Sequence, residues 1–257
     1  MTKFQTANIT LIGAIALSIG LKSTEFDYWL VLLMASILIY VLVVSIGAAK
    51  VKWQFFMPIS CWIPNKNNGI VLSFDDGPQE KTSAILDLLQ KYQMVGNFFC
   101  IGSHLDKNPR LAKRLVNDGH FIGNHSFTHT NTFPLKSKKS ITDEFSKTNQ
   151  VIEKYTGKPC RFFRPPFGVT NPNIAKAAKK LNLTCIGWSI RSFDTMDQQG
   201  EKALEKIKKN LKPGDIVLLH DHSPQILFIL EQLLKFLKTN NFKTQRIDTF
   251  FKENKTG

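Results

Sequence analysis

Ile70-Val71-Leu72-Ser73-Phe74-Asp75-Asp76-Gly77-Pro78 is an apolar run that ends abruptly in two adjacent carboxylates and a Gly-Pro turn. The run is bounded by turn signals and predicts a strand buried on both faces. Two acids at such an edge repel each other and lose hydration. That costs free energy unless a cation or a proton-transfer role offsets it. The plainer reading is a strand that meets solvent and turns with Asp-Gly chemistry. On this stretch alone both readings stand.

From Gly69 onward, strand and helix patterns alternate. Strands are expected over 70–74, 97–101, 121–123, 162–163, 184–188 and 215–219, with a possible last one over 242–247. Helices are expected over 82–92, 109–118, 141–155, 173–181, 201–210 and 226–238. Repeated βα units imply a parallel sheet with helices outside it. Five of the strands end in polar clusters: Asp75-Asp76; Asn124-His125 with His129; Arg164-Pro165-Pro166; Trp188 with Arg191 and Asp194; and His220-Asp221-His222. In parallel α/β folds, sites are built at those C-terminal edges. Five loops converge more easily in a closed barrel than at the switch point of an open sheet. The expectation is an α/β barrel of fewer than eight units.

The N-terminal region reads differently. No charge occurs over 4–21, and none over the 22 residues 28–49. The second stretch is long enough to span a bilayer. The first is a short span or the apolar part of a signal peptide. The organisation expected is an anchor of one or two transmembrane helices over 1–50, a linker over 51–68 with Pro58, Pro64 and an exposed Asn-Lys-Asn-Asn-Gly run, and a functional unit over 69–257. Lys3, Lys50 and Lys52 flank the outer ends of a pair of spans, which favours both ends in the cytoplasm. A cleaved first stretch would again leave the domain cytoplasmic; a single span with the first stretch lying at the interface would put it on the other side.

The net charge is +14, with lysine clusters at 136–139, 176–180 and 206–212. No aromatic interleaving or nucleic-acid motif accompanies them, so nucleic acid is not an expected partner. Anionic lipid head groups or plain solvation account for them. The four cysteines lack C-x-x-C spacing, and Cys100 and Cys185 are expected as buried thiols.

His125-Ser126-Phe127-Thr128-His129 places two imidazoles at i and i+4, on one side if the loop enters a helical turn. Two histidines and a carboxylate are a usual ligand set for a hydrolytic zinc. With Asp75-Asp76 ending a preceding strand, one acid can ligate and the other act as a base.

Ser-Phe-Asp-Asp-Gly-Pro, Asn-His-Ser-Phe-Thr-His, Phe-Arg-Pro-Pro-Phe-Gly, the Trp188 segment and Leu-Leu-His-Asp occur in that order. Together they resemble the five motifs of the polysaccharide deacetylase family, carbohydrate esterase family 4 or the NodB-homology domain. The resemblance covers about 69 to the C-terminus. It implies a distorted (β/α)7 barrel, related to the TIM barrel, and a metal-dependent hydrolase that removes N-acetyl groups from N-acetylglucosamine-type units of a glycan. It further implies Asp75 as catalytic base, Arg164 as its orienting partner and His220 as general acid. Asp76, His125 and His129 would hold a divalent metal, zinc by ligand type, with cobalt or manganese as substitutes. The backbone N–H near Phe167 would face the oxyanion, Leu218 would line the acetyl pocket, and Trp188 would be core, sugar platform or both. Arg191 stands where the family commonly has an aspartate, which leaves Asp194 to tune His220. Phe167 replaces a frequent tyrosine. His104, His120 and His222 read as surface or hydrogen-bonded groups. Two other readings are a membrane-associated deacetylase or deformylase of a lipid-linked amino sugar, and a catalytically weak sugar-binding module. The intact motifs argue against the last.

Overall fold

A computed structural model of the chain describes residues 1–21, 28–64 and 68–251. Its central strand, β1 (Gly69–Asp75), is buried along its whole length. Side chains alternate across a strand. Ile70, Leu72 and Phe74 accordingly enter one apolar cluster, and Val71 enters another. The first cluster lies beneath helices α3 (Thr82–Lys91) and α9 (Ile226–Thr239), which contribute Ile85, Leu89, Leu230 and Leu233. The second fills the concave side of the sheet with Phe99, Phe163, Trp188 and Leu218.

The other strands are β2 (Asn97–Cys100), β3 (Phe121–Asn124), β4 (Phe162–Phe163), β5 (Thr184–Cys185), β6 (Ile190–Arg191), β7 (Ile216–His220) and β8 (Lys243–Thr244). They pair in parallel in the order β5-β4-β3-β2-β1-β7-β6, with β8 beside the start of β1. The register sets Asp75 opposite Phe99 on one side and His220 on the other. Helices α4 (Gly102–Lys107), α5 (Pro109–Asn117), α6 (Lys138–Thr156), α7 (Pro172–Lys180) and α8 (Glu201–Asn210) complete the crossovers.

The sheet is a curled half-barrel and not the expected closed (β/α)7 barrel. No pairing joins β5 to β6 among the described residues. The strand expected over 184–188 stops at Cys185. Ile186 bridges Ser60, and the chain leaves the sheet at Gly187, where an added Cβ would lie 2.7 Å from Cys61 Sγ. The interval filled there by Ser60 and Cys61 belongs to the segment expected as a linker. Val51, Phe55, Phe56, Ile59, Cys61 and Ile63 of that segment are buried, and Trp62 bridges Asp215. Its apolar residues are wall material for the open side of the barrel. Residues 65–67 of the Asn-Lys-Asn-Asn-Gly run lie outside the described residues; Asn68 is exposed. The four cysteines are free thiols, with Cys100 and Cys185 buried.

Helices α1 (Lys3–Gly20) and α2 (Tyr28–Ala49) precede this body. Thr2 and Gln5 form a capping box at the start of α1. Tyr40 donates to Asn8 Oδ1 at 2.7 Å, which satisfies the polar groups between the two helices. Among the described residues, only α2 is long and apolar enough to cross a membrane by length and composition. With 6% of its most apolar stretch buried, it is not a core helix of the domain. At about 1.5 Å per residue its 22 residues measure about 33 Å, close to the roughly 30 Å of a hydrocarbon core.

Leu72 is fully buried in β1 between the helical layer and the sheet. Leu72→Ala is expected to cost about 2–5 kcal/mol in denaturant unfolding followed by tryptophan fluorescence. A loss below about 1 kcal/mol would show that β1 does not centre the core.

Candidate active site

The alternation that turns Ile70, Leu72 and Phe74 toward the helices turns Ser73 and Asp75 into the concave side. Arg164 reaches them from the end of β4 and is fully buried. Its Nη1 donates to Asp75 Oδ1 at 2.7 Å and to Ser73 Oγ at 2.9 Å. Nη2 donates to the Gly187 carbonyl at 2.8 Å, and Nε to the Ile186 carbonyl at 3.2 Å. The guanidinium also lies 4.2 Å from the Phe99 ring centre. All three nitrogens are thereby satisfied, as a buried guanidinium requires.

Asp76 has a left-handed backbone, φ 74°. It shares only His125 with Asp75, whose Oδ2 lies 3.8 Å from His125 Nε2. Its Oδ1 lies 3.4 Å from His125 Nε2 and 3.3 Å from His129 Nε2, and its Oδ2 lies 3.3 Å from His222 Nδ1. Burial alone would raise the Asp76 carboxyl. Its polar contact with His125 and the charges of His125, His129 and His220 outweigh that and hold it well below the usual range.

The His125–His129 loop is not the helical turn expected. Ser126 and His129 adopt left-handed φ values of 65° and 50°. Asn124 Oδ1 accepts from Ser126 N at 2.8 Å, and Ser126 Oγ accepts from His129 N at 3.1 Å. The Glu144 carboxylate accepts from Phe127 N and Thr128 N at 2.9 and 2.8 Å. These bonds bring the two imidazoles together, with centroids 4.8 Å apart.

Tautomer chemistry then tests whether this corner suits a cation. His125 Nδ1 lies 2.8 Å from the Arg164 carbonyl, which can only accept. Nδ1 therefore carries a proton and Nε2 faces Asp76; burial lowers this imidazole's pKa, but the charge of Asp75 and the contact and charge of Asp76 outweigh it, so the net shift is upward. His129 is pushed down to about 4 by burial and by the charge of His125. It is neutral at physiological pH. Asp76 Oδ1 is buried and accepts no hydrogen bond. That buried oxygen, set between two imidazole Nε2 atoms, is a place where a bound cation would take the position of the His125 proton. The three ligand atoms lie within 4.8 Å of one another, so the donor set fits a divalent metal.

His220 stands across β1 from this corner. Its Nδ1 lies 2.9 Å from Asp194 Oδ1, and its backbone N donates to Asp194 Oδ2 at 2.8 Å. Ser192 Oγ donates to Asp194 Oδ1 at 2.7 Å. An ionised carboxylate accepts, so Nδ1 carries a proton and Nε2 is left for other work. Burial lowers the imidazole pKa; the hydrogen bond and charge of Asp194, with Asp75 and Asp76, raise it further, and the net shift is upward. Arg191 is exposed and contacts no carboxylate among the described residues, so Asp194 is the acid beside His220.

Phe167 lies at the mouth, 45% exposed, with its ring 4.6 Å from that of His129. It and Gly168 both have left-handed φ values, 60° and 67°. An added Cβ on Gly168 would sit 2.3 Å from the Trp188 ring, so the backbone there needs glycine twice over. Trp188 and Leu218 are buried on the concave side. Gly77 is similarly confined, because its Cβ would fall 2.1 Å from Asp221 Oδ2. Burial drives the Asp221 carboxyl up to about 7, against its hydrogen bond from Thr82 and with help from the Asp76 charge.

Several groups here were not singled out by the motifs. Ser73 was legible from strand alternation, since a polar residue on the concave face needs a partner. Ser192 has no such signal. His222 was read as peripheral, yet it touches Asp76. His104 Nδ1 contacts the Asp76 backbone carbonyl at 2.9 Å. His120 is a buried structural group: its Nδ1 accepts from Gly96 N at 3.1 Å, while its Nε2 has no hydrogen-bond partner.

An acid pinned by a guanidinium, a cation-binding corner and an acid-paired imidazole converge at one mouth. Fold and site together define a hydrolase of carbon–nitrogen bonds other than peptide bonds. Residues 63–186 match the model of the family described as polysaccharide deacetylase. The chain is 35% identical over 188 residues to the peptidoglycan-N-acetylmuramic acid deacetylase PdaA of Bacillus subtilis, covering 71% of each chain. It is 30% identical over 164 residues to the chitooligosaccharide deacetylase of Azorhizobium caulinodans, covering 63% of this chain and 78% of that one. The solved Bc1960 peptidoglycan N-acetylglucosamine deacetylase matches with a TM-score of 0.70 at 27% identity, over 75% of this chain and 92% of that one. The chain belongs to the polysaccharide deacetylase family.

The Asp194 contact generates a titration prediction. Asp194→Asn removes the charge that favours imidazolium, so the His220 midpoint should move to lower pH. NMR titration of the His220 ring in both proteins reads this directly. An unchanged midpoint would show that Asp194 does not tune it.

Proposed function

We propose that the chain is a divalent-metal-dependent N-deacetylase acting on N-acetylglucosamine-type units of a glycan such as peptidoglycan or a chitooligosaccharide. The observation that carries the reading is the division of labour between consecutive acids: Asp75 on Arg164, Asp76 on two imidazoles. The names of the relatives support the substrate class.

Asp76, His125 and His129 hold the metal in this reading. Nitrogen and oxygen donors suit zinc, with cobalt or manganese as substitutes. When bound, the ion supplies Lewis acidity and makes water a nucleophile near neutral pH. Asp75 accepts the proton of the water that attacks the N-acetyl carbonyl. Arg164 holds the Asp75 carboxylate in place. The backbone N–H near Phe167 receives the developing oxyanion. His220 protonates the departing sugar nitrogen, since an amine leaves far more readily than its anion. Asp194 positions His220 for that transfer. Leu218 bounds the acetyl methyl, and Trp188 backs the pocket. The products are acetate and a glucosamine unit. A sugar-binding module without turnover would not need the paired His220 and Asp194.

Helices α1 and α2 act as the anchor in this reading, with α2 as a span.

Mass spectrometry of the full chain incubated with N-acetylated chitooligosaccharides and peptidoglycan fragments tests the activity. Each event should remove one acetyl group and release acetate; intact substrates of both classes would refute it. Two variants test the roles. Asp75→Asn should keep metal binding and abolish turnover, whereas Asp76→Asn should weaken metal binding itself; the reverse pattern in metal analysis would transpose the assignment. His220→Ala should slow turnover by roughly 10²–10⁴, and a negligible loss would mean that another group donates the proton.

A further inference from the structure

The end of α2 is not free of the domain. Its Ala48 carbonyl accepts from Thr170 N at 3.1 Å. Thr170 lies three residues after Phe167, at the mouth of the site. Asn171 Nδ2 donates to the Pro134 carbonyl at 2.6 Å, and Asn173 Nδ2 to the Lys136 carbonyl at 3.3 Å. The 133–136 turn, the Phe167–Asn171 loop and the end of α2 therefore form one hydrogen-bonded edge. Two more contacts fix the hairpin there: Phe4 N donates to the Phe55 carbonyl at 3.1 Å, and Lys3 Nζ to the Trp53 carbonyl at 2.9 Å. Phe55 also occupies the space beside Gly47, where a Cβ would meet it at 2.4 Å.

That edge has the character of a surface made for lipid. Leu135 is 85% exposed and Phe167 45% exposed, on either side of the Thr170–Ala48 contact. Both sit on turns whose backbones are held, so the exposure is built in. Lys50, Lys52, Lys138 and Lys139 are exposed nearby in the chain, and none has an acidic partner among the described residues. Apolar tips ringed by lysines suit the boundary of an anionic bilayer. Three residues span at most about 11 Å, so Phe167 lies within that reach of Thr170, which bonds to the end of α2. The head-group layer beyond the hydrocarbon core is itself roughly 5–7 Å deep.

We propose that this edge rests on the bilayer that α2 enters, with Leu135 and Phe167 in the boundary layer and Lys138 and Lys139 on anionic head groups. The active-site mouth then opens along the membrane surface, and the amino sugar it takes is one carried on a membrane-embedded lipid. The inference rests on reading α1 and α2 as the anchor and on the deacetylase reading of the site.

The test uses the full chain in vesicles of phosphatidylcholine and phosphatidylglycerol. An environment-sensitive fluorophore is placed at Leu135→Cys and, as a control, at the exposed Lys212→Cys, which precedes β7 at the N-terminal ends of the strands, away from the mouth. A lipid-borne quencher should quench the probe at 135 strongly and the probe at 212 weakly. Equal quenching at the two positions, in protein that stays with the vesicles through an alkaline carbonate wash, overturns the docked edge while leaving the anchor intact. Loss of the protein in that wash overturns the anchor, and the docked edge with it. A second arm compares a lipid-tailed N-acetylglucosamine in the same vesicles with a soluble chitooligosaccharide. Leu135→Asp combined with Lys138→Glu and Lys139→Glu should slow the lipid-borne substrate roughly thirtyfold or more, the scale of losing two surface lysines. Turnover of the soluble substrate should be unchanged. Equal effects on both substrates overturn the proposal, and turnover of neither by the unsubstituted chain refutes the deacetylase reading itself.

Discussion

A guanidinium with no access to water organises this molecule. Arg164 is fully buried, and each of its nitrogens must therefore find an acceptor inside the protein. It finds them on β1, at Asp75 and Ser73, and on the chain just beyond β5, at Ile186 and Gly187. The open side of the half-barrel is thus tied across its concave face by one side chain. Removing Arg164 would leave Asp75 as an unpaired buried charge, a loss of roughly 3–5 kcal/mol. The same residue also sets the opposite corner, because its carbonyl fixes the tautomer of His125. Side chain and backbone of one residue prepare both acids, Asp75 directly and Asp76 through the imidazole.

Neighbouring carboxylates with separate environments can do separate work. Asp75 is matched to a permanent cation. Asp76 faces two imidazole nitrogens and has an oxygen with no hydrogen bond. A bound cation among those three atoms would take the position of the His125 proton. His220, opposite Asp75 in register, repeats the logic with the sign changed: the Asp194 carboxylate favours its protonated form. Asp75, Asp76 and His220 are spaced by strand pairing, which leaves little freedom for them to drift.

Much of this was legible in the sequence because it follows from alternation and from motif chemistry. The buried strand expected over 70–74, the acid pair at its end and the two-histidine loop could be anticipated, and the family resemblance pointed to Asp194 as an acid for His220. What was missed depended on tertiary contact. Closure of the barrel was expected from the number of converging loops, but β4, β5 and β6 are two residues each and cannot complete a ladder. The segment over 51–64 looked like a tether because of Pro58 and Pro64, yet its apolar residues fill the side those short strands leave open. The two histidines do share a side, through two left-handed residues and a carboxylate bridge that no spacing rule encodes. His222 and Ser192 acquire their places only when β7 and the loop after β6 meet.

The central claim is that the Asp76, His125 and His129 corner is a metal site whose neighbours are poised for hydrolysis. Anomalous X-ray scattering from crystals of the purified chain, grown without added chelator, tests it most directly. The account predicts one strong peak, at about 2.0–2.2 Å from Asp76 Oδ1, His125 Nε2 and His129 Nε2, and loss of both peak and acetate release when the metal is stripped. No peak at that corner in a preparation that still releases acetate would contradict it.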